Sequence, residues 1–284
     1  MSKIDKIPSK LAIYTRHLCC IVLGEKKMFY VVKRRNVVLV LLLAVCFVAA
    51  SLGLAFTGAA QVFFNQSMRK IPVYAVEPDD DKVIALTFDA AWGSDKTEDI
   101  LRILRENEIS DAATFFLVGF WVDRFPELVK KIHEQGIEIG NHSNNHLHMS
   151  KLSESEIANE IAAVNDAVYE LIGKKPQYFR APFGEYNDRL LTEVEKSGMV
   201  GVQWSVDSLD WKALPAKETC DRVLSRAKSG DIVLFHNNSE YILDILPVVI
   251  MGLKAKGFRF VSLDELVAVD NYTIDNNGIQ HKAQ

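Results

Sequence analysis

Val83-Ile84-Ala85-Leu86-Thr87-Phe88-Asp89 decides how this chain is read: six residues that suit a buried strand end on a carboxylate. A short apolar run bounded by polar residues reads as a strand covered on both faces, as in parallel sheets. In α/β folds, chemistry is assembled where such strands end. The same construction recurs downstream. Ile137–Asn141 runs into His142-x-x-x-His146, Tyr178–Arg180 into Ala181-Pro182-Phe183-Gly184, Val200–Val206 into Asp207-x-x-Asp210-Trp211, and Asp231–Phe235 into His236.

Helical patterns fill the intervals. They are expected near Lys96–Asn107, Phe125–Gln135, Asp188–Ser197, Glu218–Lys228 and Tyr241–Lys256, where Pro247 is a potential kink. The clearest is Glu154–Ile172, with Ser153 and Glu156 forming a capping box and Gly173 as the stop. Ala113–Val118 and Arg259–Ser262 complete the strands. This alternation predicts an α/β fold with a mainly parallel sheet and helices outside, barrel-like or doubly wound.

Working toward the N-terminus, Val37 to Ala60 contains no charged residue and is dominated by Leu, Val and Ala. A membrane-spanning helix needs roughly 20 apolar residues. Lys33, Arg34 and Arg35 precede the run, so the chain before it is expected to stay in the cytoplasm and the remainder to be exported. The expected layout is a poorly organised cytoplasmic tail over 1–36, a signal anchor over 37–60 and a linker over 61–81. The globular domain then covers 82–268, with a C-terminal tail over 269–284. A cleaved signal peptide ending at Gly58-Ala59-Ala60 is the alternative to a retained anchor, and Met28 is an alternative start.

Cys220 is the one cysteine on the exported side, which excludes an internal disulfide there. After residue 70 the chain carries 22 Lys/Arg and 35 Asp/Glu, a formal charge of −13. So acidic a domain argues against nucleic acid as a partner.

The side chains at the strand ends suggest metal-assisted hydrolysis. His142 and His146 come onto one face if their loop makes a helical turn, and neutral imidazole is a common zinc ligand. Asp89 reads either as a helix cap or as a general base beside a metal-bound water. Arg180 at a strand end needs a carboxylate, and Asp89 or Asp207 could supply it. His236 reads as a core histidine or as a general acid, held charged by Asp207.

These motifs, in this order, resemble the polysaccharide deacetylases of carbohydrate esterase family 4, whose catalytic unit is the NodB-homology domain. The resemblance covers roughly residues 80–265. Within the family the chain is similar to the membrane-anchored sporulation deacetylases, which share the Trp92-Gly93 that follows the Asp89 motif. The resemblance implies a distorted (β/α) barrel that removes acetyl groups from N-acetylated cell-wall glycan. It casts Asp89 as base, His142 and His146 as metal ligands and Arg180 as the group orienting the base. The Phe183 segment corresponds to the oxyanion hole. Asp207 corresponds to the residue tuning the acid, Trp211 and Leu234 to the acetyl pocket, and His236 to the acid. A divalent metal is implied, zinc first, with cobalt and manganese as alternatives.

The family also carries a second Asp directly after the base as third metal ligand, and here that position is Ala90. Asp89 itself, Asp95, Asn141 or a water are the candidates to replace it. The competing readings are a pseudoenzyme that binds peptidoglycan, and an amidohydrolase for another acylated substrate.

Overall fold

The computed structural model describes residues 18–22, 29–56, 69–78 and 82–282, which fall into two units divided after Met68. In the first unit, strands β1 (Leu18–Val22) and β2 (Phe29–Lys33) pair antiparallel, and helix α1 spans Arg34–Phe56. The expected tail therefore contains a strand pair, while residues 1–17, the alternative start Met28 and the possible cleavage site at 58–60 lie outside the described residues. The expected membrane span begins inside α1. Its end also lies outside, and among the described residues no helix is long and apolar enough to cross a membrane.

The second unit is built on a curled sheet. Its strands are β3 (Ala75–Val76), β4 (Val83–Ala90), β5 (Ala113–Leu117), β6 (Glu138–Asn141), β7 (Tyr178–Phe179), β8 (Val200–Gly201), β9 (Val206–Asp207), β10 (Asp231–His236), β11 (Arg259–Phe260), β12 (Tyr272–Ile274) and β13 (Ile279–Lys282). The order is β12-β13-β3-β10-β4-β5-β6-β7-β8, with β11 on β4 and β9 on β10. The pairs from β10 through β8 are all parallel. A further bridge from Val73, just before β3, to Val202, just after β8, brings the two flanks together. The result is a curled α/β half-barrel: of the two forms the alternation left open, it is the barrel-like one, as the resemblance implied.

Helices α2 (Thr97–Glu106), α3 (Gly119–Arg124), α4 (Pro126–Glu134), α5 (Glu154–Ile172), α6 (Asp188–Lys196), α7 (Ala216–Arg226), α8 (Ile242–Ala255) and α9 (Leu263–Leu266) surround it. Alternation along β4 shows how sheet and helices share the chain. Ile84, Leu86, Phe88 and Ala90 enter the core formed with the helices, Ala85 enters a second cluster inside the sheet, and Asp89 is left on that inner side. The capping box of α5 forms as expected, with Ser153 Oγ accepting from Glu156 N–H and Gly173 in the left-handed conformation.

Two departures concern the flanks. Val73 and β3 belong to the sheet although they lie in the expected linker, and the expected C-terminal tail folds as the hairpin β12–β13. These distant segments stabilise one another, because Ile279 and Gln280 pair with Ala75 and Val76. The Gln280 side chain is buried, donating to Ala268 C=O and accepting from its N–H. The expected strand Val200–Val206 is also split. Gln203 N–H leaves to bond Val73 C=O, and Ser205 N–H leaves to bond Ile232 C=O.

Candidate active site

The parallel register sets the geometry. Asp89 on β4 stands opposite His236 on β10 and Phe116 on β5, so a carboxylate and an imidazole occupy neighbouring strand ends. Arg180, fully buried just after β7, donates from Nη1 to Asp89 Oδ1 at 2.8 Å and from Nη2 to Gln203 C=O at 3.0 Å. Its guanidinium lies 4.0 Å from the centre of the Phe116 ring, a cation–π contact. Arg180 therefore takes Asp89, not Asp207, as its carboxylate. Burial alone would raise the Asp89 pKa, but Arg180, through its charge and its hydrogen bond, leads the interactions that outweigh burial and hold the carboxyl below its usual range.

The expected helical turn joining His142 to His146 is absent. Ser143 and His146 both adopt left-handed backbone, with φ of 66° and 53°. Their loop is pinned by Asn141 Oδ1, which accepts from Ser143 N–H at 2.8 Å, and by Glu160, which accepts from Asn145 N–H at 2.8 Å. The two imidazoles still meet, with ring centres 5.1 Å apart. His142 Nδ1 donates to Arg180 C=O at 2.8 Å, which leaves Nε2 as an acceptor 3.5 Å from Asp89 Oδ2. Burial keeps both histidines neutral: it drives the His142 pKa down and that of His146 to about 4. His146 Nδ1 is buried without a partner.

Neutral imidazoles facing a carboxylate suit a cation, but the third protein ligand is missing. Ala90 is fully buried in the apolar core, so a methyl group stands at the position where the resemblance implied a carboxylate. Asn141 is committed to Ser143 N–H, Ile161 C=O and Asn165, while Asp95 is exposed and off the cleft wall. Among the described residues, no group of three or more His, Cys, Asp or Glu is placed to hold a metal ion. The donor set does not fit the three-ligand catalytic zinc site that the resemblance implied.

The second ion pair corrects the assignment of Asp207. His236 Nδ1 bonds Asp210 Oδ1 at 2.8 Å, and Asp210 Oδ2 accepts the His236 backbone N–H at 2.9 Å. Leu209 in left-handed backbone (φ 60°) turns Asp210 inward, whereas Asp207 Oδ1 caps Leu209 N–H and its carbonyl accepts from Arg222. Burial pulls the His236 pKa down, but the hydrogen bond and charge of Asp210 overcome it with help from Asp89 and Asp207. The net shift is upward. Nothing in the spacing Asp207-x-x-Asp210 distinguished the two carboxylates.

Asp89, His142, His146, Phe183, Asp207, Trp211, Leu234 and His236 line one cleft of about 800 Å³. Arg180 lies behind Asp89. Leu234 is buried in the wall, while Phe183 and Trp211 stand at the mouth, 55% and 56% exposed. Phe183 has φ 59° and sits between His146 and His148, with ring centres 4.6 and 4.4 Å away. His148 Nδ1 bonds Glu185 at 2.9 Å and is not a member of the cleft wall.

With the fold and site in view, comparison with known proteins assigns the class. Residues 76–202 match the family model "Polysaccharide deacetylase". The chain is 37% identical over 195 residues to a peptidoglycan-N-acetylglucosamine deacetylase of Bacillus cereus, an alignment covering 67% of this chain and 90% of the relative. It is 34% identical over 202 residues to protein YlxY of Bacillus subtilis, covering 71% of this chain but only 62% of that one. Among solved structures it is similar to BA3943, described as a pseudoenzyme of carbohydrate esterase family 4 from Bacillus anthracis. The TM-score is 0.66 at 30% identity, covering 72% of this chain and 71% of that one. The chain belongs to the polysaccharide deacetylase family.

Proposed function

We propose that this chain is an N-deacetylase acting on cell-wall glycan of the peptidoglycan type. The observation that carries the reading is the pairing of two oppositely tuned groups on adjacent strand ends, Asp89 with Arg180 and His236 with Asp210. Asp89, ionised, takes the proton of a water that attacks the acetamide carbonyl. His236, held protonated by Asp210, gives its proton to the departing amine. Arg180 fixes the Asp89 carboxylate, and the backbone at Phe183 supplies the hydrogen bond to the developing oxyanion. Trp211 and Leu234 enclose the acetyl methyl group. The products are acetate and a glucosamine-type unit.

A second reading has its own observation. Ala90 removes a metal ligand, and a chain that keeps the groove without the metal would bind peptidoglycan as a structural factor. Acetate release from N-acetylglucosamine oligomers and from peptidoglycan, with bound zinc, cobalt and manganese measured on the same preparation, separates the two. Acetate release abolished by Asp89→Asn supports the deacetylase. Glycan binding with no acetate release leaves the binding protein.

The apolar run after Lys33, Arg34 and Arg35 supports retention in the membrane, with the catalytic unit outside the cytoplasm. The Trp92-Gly93 signature supports a role in spore formation. Proteolysis of intact and lysed cells tests the first: cleavage of residues 69–284 only after lysis would overturn it. Wild-type sporulation in a deletion strain would overturn the second.

A further inference from the structure

Trp92 is an exposed aromatic residue of the cleft that the mechanism leaves unused. It is 64% exposed, lines the mouth of the cleft, and meets the His146 ring at 4.7 Å and the Phe120 ring at 6.2 Å. Its backbone setting is built with care. Gly93 C=O accepts from Trp121 Nε1 at 2.8 Å and from Asn237 Nδ2 at 3.0 Å. Gly93 itself has φ +72°, and a Cβ there would come within 2.2 Å of Asn238 Nδ2. Lys96 Nζ donates to the carbonyls of Ser239 and Glu240 at 2.6 and 2.7 Å, tying this loop to the one that follows His236.

A large indole left in water forfeits its burial energy, yet here its loop is fastened on both sides so that it stays there. The arrangement spends its hydrogen bonds on presenting an aromatic face beside the catalytic cleft. We infer that Trp92 is a stacking platform for one pyranose ring of a β-linked N-acetylglucosamine-type glycan, adjacent to the unit whose acetamide enters the pocket. The proposal rests on the glycan reading above and adds a subsite to it. The chemistry is complementary: a pyranose presents C–H groups on its flat faces, which suit the electron-rich face of indole, and hydroxyls at its edge. Asp207 and Glu240, which line the same cleft, offer carboxylate oxygens to accept from such hydroxyls.

The test is calorimetric titration of the full chain with N-acetylglucosamine tetramer, for the unaltered protein, Trp92→Ala and Trp92→Phe. Loss of one stacking residue is expected to weaken binding about tenfold in Trp92→Ala, with Trp92→Phe within about threefold of the unaltered chain. The melting temperature of all three should coincide, because the indole is not part of the core. Equal affinity in Trp92→Ala overturns the proposal, as does failure of the unaltered chain to bind the tetramer. Acetate release on the same samples reports separately on the deacetylase reading. Trp92-dependent binding without acetate would retain the platform and remove the enzyme.

Discussion

Each end of the curled sheet holds a carboxyl group drawn out of water, Asp89 buried and Glu138 half-buried, and the two are treated in opposite ways. At the C-terminal end, Asp89 faces Arg180 and neutral imidazoles, and its pKa is lowered. At the N-terminal end, Glu138 opens β6 with Thr114 Oγ1 donating to it at 2.9 Å and Asp264 as its hydrogen-bonded neighbour. Burial, with Asp264 beside it, pushes the Glu138 pKa up to about 9. Burial penalises both charges, and the partner decides the outcome: a guanidinium preserves the anion, while a second carboxyl group makes the pair share a proton. Only the first arrangement keeps the strand-end carboxyl itself anionic at neutral pH.

The most severe way to break the contrast is Arg180→Met, which leaves Asp89 buried without its cation. Losing one partner of a buried pair costs about 3–5 kcal/mol, readable as a fall in the urea midpoint. The Asp89 carboxyl should then titrate above its usual range, as Glu138 does. Next, Asp89→Asn keeps the shape and removes the base, so acetate release should fall by about 10²–10⁴, with a lower melting temperature as well, because Arg180 is left buried without its anion. An unaffected rate would remove Asp89 from the mechanism.

Asp210→Asn sharpens the comparison on the neighbouring strand. The His236 pKa is raised by Asp210, so without that charge the proton is lost at lower pH. The alkaline limb of the pH–rate profile should move toward acid, with a loss of about tenfold at neutral pH. Asp207→Asn should move it less, because Asp207 acts on His236 only through space.

The smallest effect is expected at Glu138→Gln. Between about 4.5 and about 9 the native state holds a proton on Glu138 that the unfolded chain has released. This group's contribution to stability is therefore full below that window and declines as pH rises through it. The variant should lose that slope in urea midpoints taken across the window, while acetate release is untouched. A slope equal to that of the unaltered chain would show that Glu138 ionises freely.

The corrections follow the same division between local pattern and neighbours. The strand ending at Asp89 and the helix capped by Ser153 were legible because burial, alternation and capping act over a few residues. The meeting of His142 with His146 was legible as well, but its route was not: two left-handed residues do what a helical turn was expected to do. Asp210 was missed in favour of Asp207 because the turn at Leu209 leaves no mark in composition. The strand segments at 75–76 and 279–282 were read as linker and tail because each is too short to pattern by itself. They become strands by pairing with each other, across some 200 residues of chain.

The sequence by itself determined which side chains stand at the ends of the strands and that an alanine follows Asp89. Those are properties of residue type and of alternation along a strand. Tertiary structure decided which charges pair: Arg180 with Asp89, Asp210 with His236, Asp264 with Glu138. Ionisation depends on distances of a few ångströms between residues 26 to more than 90 positions apart in the chain, and folding alone sets those distances.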